Sequence, residues 1–107
     1  MFLRKPNEDK RILTLDEIRR VVRPLAEKYR VEAVFLFGSY ARGEAHEESD
    51  LDFLVYGGEH FKLTRILSLG GELRRAFGKN VDTFEIREVD ETSPFYKRVM
   101  EEKVLVA

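Results

Sequence analysis

Cysteine, tryptophan and glutamine are absent from the 107 residues, and only three prolines occur. Without cysteine there is no disulfide, no thiolate nucleophile and no thiolate metal site, and the natural setting is a reducing cytoplasm. No apolar run approaches the roughly 20 residues that span a bilayer. The opening MFLRKPNEDKR lacks the apolar core of a secretory signal and reads as a charged lead-in over residues 1–11. These absences set the expectation of a soluble protein. An excess of one charge is missing too: 36% of residues are charged, yet the formal net charge is −1, which gives no general attraction to nucleic acid. Blocks such as Glu44 to Asp50 and Glu101-Glu102-Lys103 read as solvated loop and helix surface. Abundant Glu, Arg and Lys beside only two asparagines is a bias compatible with a heat-adapted source. The length predicts a single domain over 1–107, with no room for a second module.

What the chain does contain is a series of short, well-punctuated elements. Thr14-Leu15-Asp16-Glu17 has the form of a capping box, followed by Ile18, Val21, Val22, Leu25 and Ala26 at helical spacing. The pattern predicts an amphipathic helix to about Tyr29, kinked or divided at Pro24. Ala33 to Phe37 and Leu51 to Tyr56 read as strands. A short helix over Tyr40 to Arg42, ended by Gly43, is expected between them. Apolar residues from Phe61 to Phe77 recur in helical spacing, with Gly70-Gly71 calling for close packing, a kink or a break. Val81 to Ile86 reads as a third strand, Ser93-Pro94 opens a last helix, and Val104 to Val106 suits a short edge strand. The resulting fold class is α/β (α+β), with helices packed on a small central sheet.

The chemistry concentrates between the first two strands. Gly38-Ser39 is followed by ten residues and then by Asp50-Leu51-Asp52, which places two carboxylates two positions apart at the start of a strand. Period-two geometry sends both to one face. Hard oxygen ligands side by side suit Mg²⁺, which keeps several waters and is completed by substrate phosphates. A glycine without Cβ lets backbone N–H groups approach an anion, a helix starting at Ser39 would add its positive end, and Ser39 offers a hydroxyl donor. Taken alone, Gly38-Ser39 is an ordinary strand-ending turn. Asp52, however, lies inside a strand that otherwise reads as buried, and a buried carboxylate needs a partner. The combined reading is a nucleoside triphosphate held at Gly38 and Ser39 and bridged by Mg²⁺ to Asp50 and Asp52, a site that favours attack at phosphorus.

The run GSYARGEAHEESDLD resembles the signature of the polymerase-β-like nucleotidyltransferases, a Gly-Ser followed about ten residues later by Asp-x-Asp, and especially their minimal branch. That resemblance spans nearly the whole chain and implies a mixed sheet. It also implies a third acid in a Val-Asp pair on a later strand, which Val81-Asp82 matches, able to bind a second metal ion or to take the acceptor's proton. One departure is Thr83-Phe84, where the family often has two aliphatic residues. The implied reaction moves AMP from ATP to a hydroxyl and releases pyrophosphate, with one or two Mg²⁺ ions, Asp50, Asp52 and Asp82 as catalytic and metal-binding acids, and Gly38, Ser39 and Arg42 at the nucleotide. The implied acceptor is a tyrosine of a HEPN-type toxin, with this chain as antitoxin and partner in a hetero-oligomer. Two alternatives come from other classes: a non-catalytic module that neutralises its toxin by binding, and transfer to a small hydroxylated molecule.

Side chains near the motif have competing readings. Arg42 pairs either with phosphate or with Glu44, Glu47 or Glu48. Ser49 is most simply a turn residue that fixes Asp50. His46 and His60 lack zinc-ligand spacing and read as exposed. Tyr40 and Tyr56 are candidates to stack on a base, although aromatics this close to strands more often belong to the core.

Overall fold

Thr14 starts the first helix as its sequence requires. Its hydroxyl accepts from the Glu17 N–H at 3.1 Å, while the Glu17 carboxylate accepts from the Thr14 N–H at 3.0 Å. Helix α1 (Leu15–Tyr29) follows without interruption, so Pro24 does not divide it. Pro24 sits on the solvent side, where water can take the carbonyl that loses its partner, while Ile18, Val22, Ala26 and Tyr29 bury the opposite stripe. The computed structural model describes residues 11–107, so nearly all of the charged lead-in lies outside the described residues.

The remaining elements are β1 (Ala33–Phe37), β2 (Leu51–Tyr56), α2 (Arg65–Phe77), β3 (Val81–Glu85), a 3-10 turn at Ile86–Glu88, α3 (Pro94–Glu102) and β4 (Val104–Leu105). They form a four-stranded mixed sheet in the order β3-β2-β1-β4. Strands β1 and β2 are antiparallel, as are β1 and β4, whereas β2 and β3 run parallel. Alternation along the strands divides the interior into two layers. Val34, Leu36, Leu51, Phe53, Val55 and Val81 face α1 and α2, while Phe37 and Leu54 join Val99 of α3 on the other side.

Two expectations need correction, and a third resolves to one of its alternatives. The Phe61–Phe77 periodicity does not all become helix: α2 begins at Arg65, and Phe61 is buried in the preceding turn against Gly57. Of the alternatives open at Gly70-Gly71, close packing is the one the structure shows: α2 runs on without a break, and a Cβ at Gly70 would lie 2.7 Å from Thr83 Oγ1 on β3. The small residue on the helix thus makes room for Thr83 on the strand. Finally, Ser39–Gly43 is a sequence of turns and not a helix. Arg42 N–H donates to Gly38 O at 3.1 Å and Glu44 N–H to Ser39 O at 2.9 Å, with Gly38 and Gly43 both in the left-handed region at φ 77° and 72°. No helix terminus therefore stands at Ser39; what the turn offers an anion is its backbone N–H groups.

Candidate active site

Strand register assembles the acids. Asp52 is opposite Phe37 of β1 on one side and opposite Asp82 of β3 on the other. Parallel pairing of β2 with β3 puts Asp52 and Asp82 on the same face of the sheet, the face that α3 partly covers. Asp50 stands just before β2, two positions from Asp52, and is near enough for its charge to act on that carboxyl. Burial, then the charges of Asp82 and Asp50, push the Asp52 carboxyl up from its ordinary 3.8 to about 6, and the Arg42 guanidinium opposes them only partly.

The turn and the acids fit together sterically. Gly38 follows Phe37, and a Cβ built on it would run into the Asp52 carboxylate. Only glycine leaves room there, quite apart from its positive φ. A cavity of about 550 Å³ opens at this point, with Gly38, Arg42, Asp52 and Asp82 on its polar side. Its apolar wall is an aromatic cluster in which Phe95 of α3 lies 5.7 Å from Phe37 and 5.5 Å from Phe84, edge-on or tilted. Arg98, Val99 and Glu102 complete the lining from α3, at the helical spacing that puts them on one face with Phe95.

Other candidates fall into place around it. Arg42 makes the ion pair with Glu44 that the sequence allowed, and it also faces the cavity. It donates from Nε to Glu44 at 3.0 Å and from Nη1 to Glu102 at 3.1 Å. Ser39 and Asp50 do not line the cavity. Ser49 is buried and fixes the loop before Asp50, its hydroxyl accepting from the His46 N–H at 2.9 Å. His46 and His60 are exposed. Tyr40 belongs to the core and accepts from the Leu13 N–H at 3.4 Å, and Tyr56 packs on Phe35, so neither lines the cavity. Glu102, read from the sequence as helix surface, is the residue missed. Its partners lie 64 and 60 positions away, and no local pattern signals them.

Metal binding can be judged from the donors alone. Among the described residues no three His, Cys, Asp or Glu side chains form a ready metal-holding group. Mg²⁺, though, is commonly held by one or two carboxylates together with substrate phosphates and water. Asp52, crowded by the charges of Asp82, Asp50 and Glu102 and lifted well above its ordinary value, is a hard-oxygen donor that gains from a cation. The donor set fits Mg²⁺ on those terms.

Comparison with known proteins agrees with this arrangement. Residues 20–107 match the family model described as Polymerase beta, Nucleotidyltransferase. The chain belongs to that nucleotidyltransferase family, and a nucleotide substrate goes with membership. Protein adenylyltransferase MntA of Thermococcus cleftensis is 39% identical over 75 residues, 66% of this chain and 76% of that protein. A relative from Methanocaldococcus jannaschii is 36% identical over 98 residues, 86% of this chain and 96% of the other. The fold is shared with a structure of a tri-AMPylated Shewanella oneidensis HEPN toxin in complex with MNT antitoxin, at a TM-score of 0.67 and 17% identity over 88% of this chain and 72% of that one.

Proposed function

We propose that this chain transfers AMP from ATP to a tyrosine hydroxyl of a HEPN-type toxin, and so acts as the antitoxin of a cytoplasmic pair. The observation that carries the reading is the pairing of Asp52 with Asp82 across β2 and β3, beside a glycine that only the absence of a side chain accommodates. Asp50 and Asp52 hold Mg²⁺, and Asp82 completes the set. When bound, the metal supplies neutralisation of the charge that develops on the triphosphate. The Gly38-Ser39 turn receives the β and γ phosphates, Ser39 donating its backbone N–H and hydroxyl and Gly38 leaving room for the Asp52 carboxylate beside them, with Arg42 adjacent. The acceptor oxygen attacks the α-phosphorus in line, the bond from that phosphorus to the β-phosphate oxygen breaks, and pyrophosphate leaves. Asp82, exposed at the mouth, takes the acceptor's proton.

The match to MntA favours a protein acceptor, and the aromatic wall of Phe37, Phe84 and Phe95 offers a surface for a phenol ring brought in by the partner. In cells that express a HEPN-type toxin partner, the wild-type chain restores growth and Asp50→Asn/Asp52→Asn does not. Protection by the double variant at equal abundance would contradict transfer and favour neutralisation by binding alone.

A further inference from the structure

Glu102 occupies a position that the Gly-Ser and Asp-x-Asp residues do not account for. Its Oε1 accepts from the Gly38 N–H at 3.1 Å and its Oε2 from Arg42 Nη1 at 3.1 Å, so one carboxylate joins the turn and the arginine that face the cavity. The side chain is only 14% exposed, and a carboxylate that far from water needs the charged and hydrogen-bonding partners that Gly38 and Arg42 supply. Its backbone is fixed as well. The Lys103 N–H closes α3 on Val99 O at 2.9 Å, and the chain then enters β4, where Val104 pairs with Leu36 of β1. Strand β1 ends at Phe37, immediately before the glycine that Glu102 holds. Both ends of the contact are therefore tied to the same strand, which makes it a brace and not a mobile stand-in for an anion.

We propose that Glu102 is a positioning residue for the nucleotide, setting the Gly38 turn and the Arg42 guanidinium in the orientation that receives the triphosphate. A carboxylate repels phosphate and so acts through its partners. Arg42 spends Nε on Glu44 and Nη1 on Glu102, and among the described residues its Nη2 group makes no hydrogen bond, which leaves that edge of the fork for an anion. Without Glu102 the guanidinium has only the exposed Glu44 to orient it, and the Gly38 N–H loses its acceptor.

This inference rests on the proposed nucleotidyl transfer, so its test reads binding and not turnover. The affinity of a non-hydrolysable ATP analogue with Mg²⁺ is measured by calorimetry for wild type, Glu102→Ala, Glu102→Gln, Arg42→Ala and the Arg42→Ala/Glu102→Ala pair, with melting curves for each. Loss of the brace weakens binding about tenfold in Glu102→Ala, the scale of one charge-assisted hydrogen bond. Glu102→Gln, which can keep one of the two acceptor contacts, falls between, and the double variant is weaker than Arg42→Ala by less than the single effect. Should Glu102→Ala fail to fold, Glu102→Gln carries the comparison. Unchanged affinity in folded variants with a lowered melting temperature, or fully additive effects, would overturn the proposal. Wild type that binds no nucleotide would instead remove the transfer reading on which it stands.

Discussion

Burial acts most strongly on Asp52, then the charges of Asp82 and Asp50, with Arg42 opposing them and Glu102 adding the smallest push upward. The sign of the consequence is fixed by the direction of the shift. An acid raised from 3.8 to about 6 on folding binds its proton more tightly in the folded chain, so its contribution to stability is fully present below pH 4 and declines as pH rises through about 6. Mg²⁺ competes for the same carboxylate, and its affinity should rise over that window. In chelator-treated protein, carbon-detected NMR is expected to find Asp52 titrating near 6, and an ordinary value near 4 would contradict the crowding. The three acids of the candidate site were legible because each sits at a strand start, where alternation assigns its face: Asp50 and Asp52 from their spacing, Asp82 from the Val-Asp pair. Glu102 was not legible, since its work depends on contacts with Gly38 and Arg42 that only the folded chain brings near.

Elements with strong local signals formed where their sequences put them. The Thr14 box and the Ser93 cap, whose hydroxyl accepts from the Tyr96 N–H at 3.1 Å, each start a helix at the residue that the pattern names. The five apolar residues of β1 and the run from Leu51 set both central strands. Ser39–Gly43 defeated local reading because a segment of four residues between the left-handed Gly38 and Gly43 closes turn bonds more readily than it nucleates a helix. The two glycines of α2 make a direct test of packing against propensity. Gly71→Ala meets only the flexible tip of Arg75 at 3.5 Å and should raise the melting temperature, by about 1 kcal/mol of helix preference. Gly70→Ala, 2.7 Å from Thr83 Oγ1, should lower it, with a net loss of about 1–3 kcal/mol from overpacking. Thermal unfolding followed by circular dichroism decides the matter, and a stabilised Gly70→Ala would contradict the tight α2–β3 contact.

At the scale of the molecule, the sheet separates a stability side from a chemical side. Helices α1 and α2 bury one face, whereas α3 alone covers part of the other, and the acids open beside it. A mixed sheet achieves this because parallel β3 brings Asp82 to Asp52 while antiparallel β1 brings Gly38 to it. No helix among the described residues is long and apolar enough to cross a membrane. In the proposed reaction the acceptor hydroxyl is a partner's tyrosine, brought to this open side. The measurement that tests this most directly is the intact mass of a HEPN-type toxin, the proposed partner, after incubation with ATP, Mg²⁺ and either the wild-type chain or Asp50→Asn/Asp52→Asn. Transfer predicts a mass increase in whole AMP units with the wild type alone, carried on tyrosine. An unchanged toxin mass, or an equal increase with the double variant, would contradict the account.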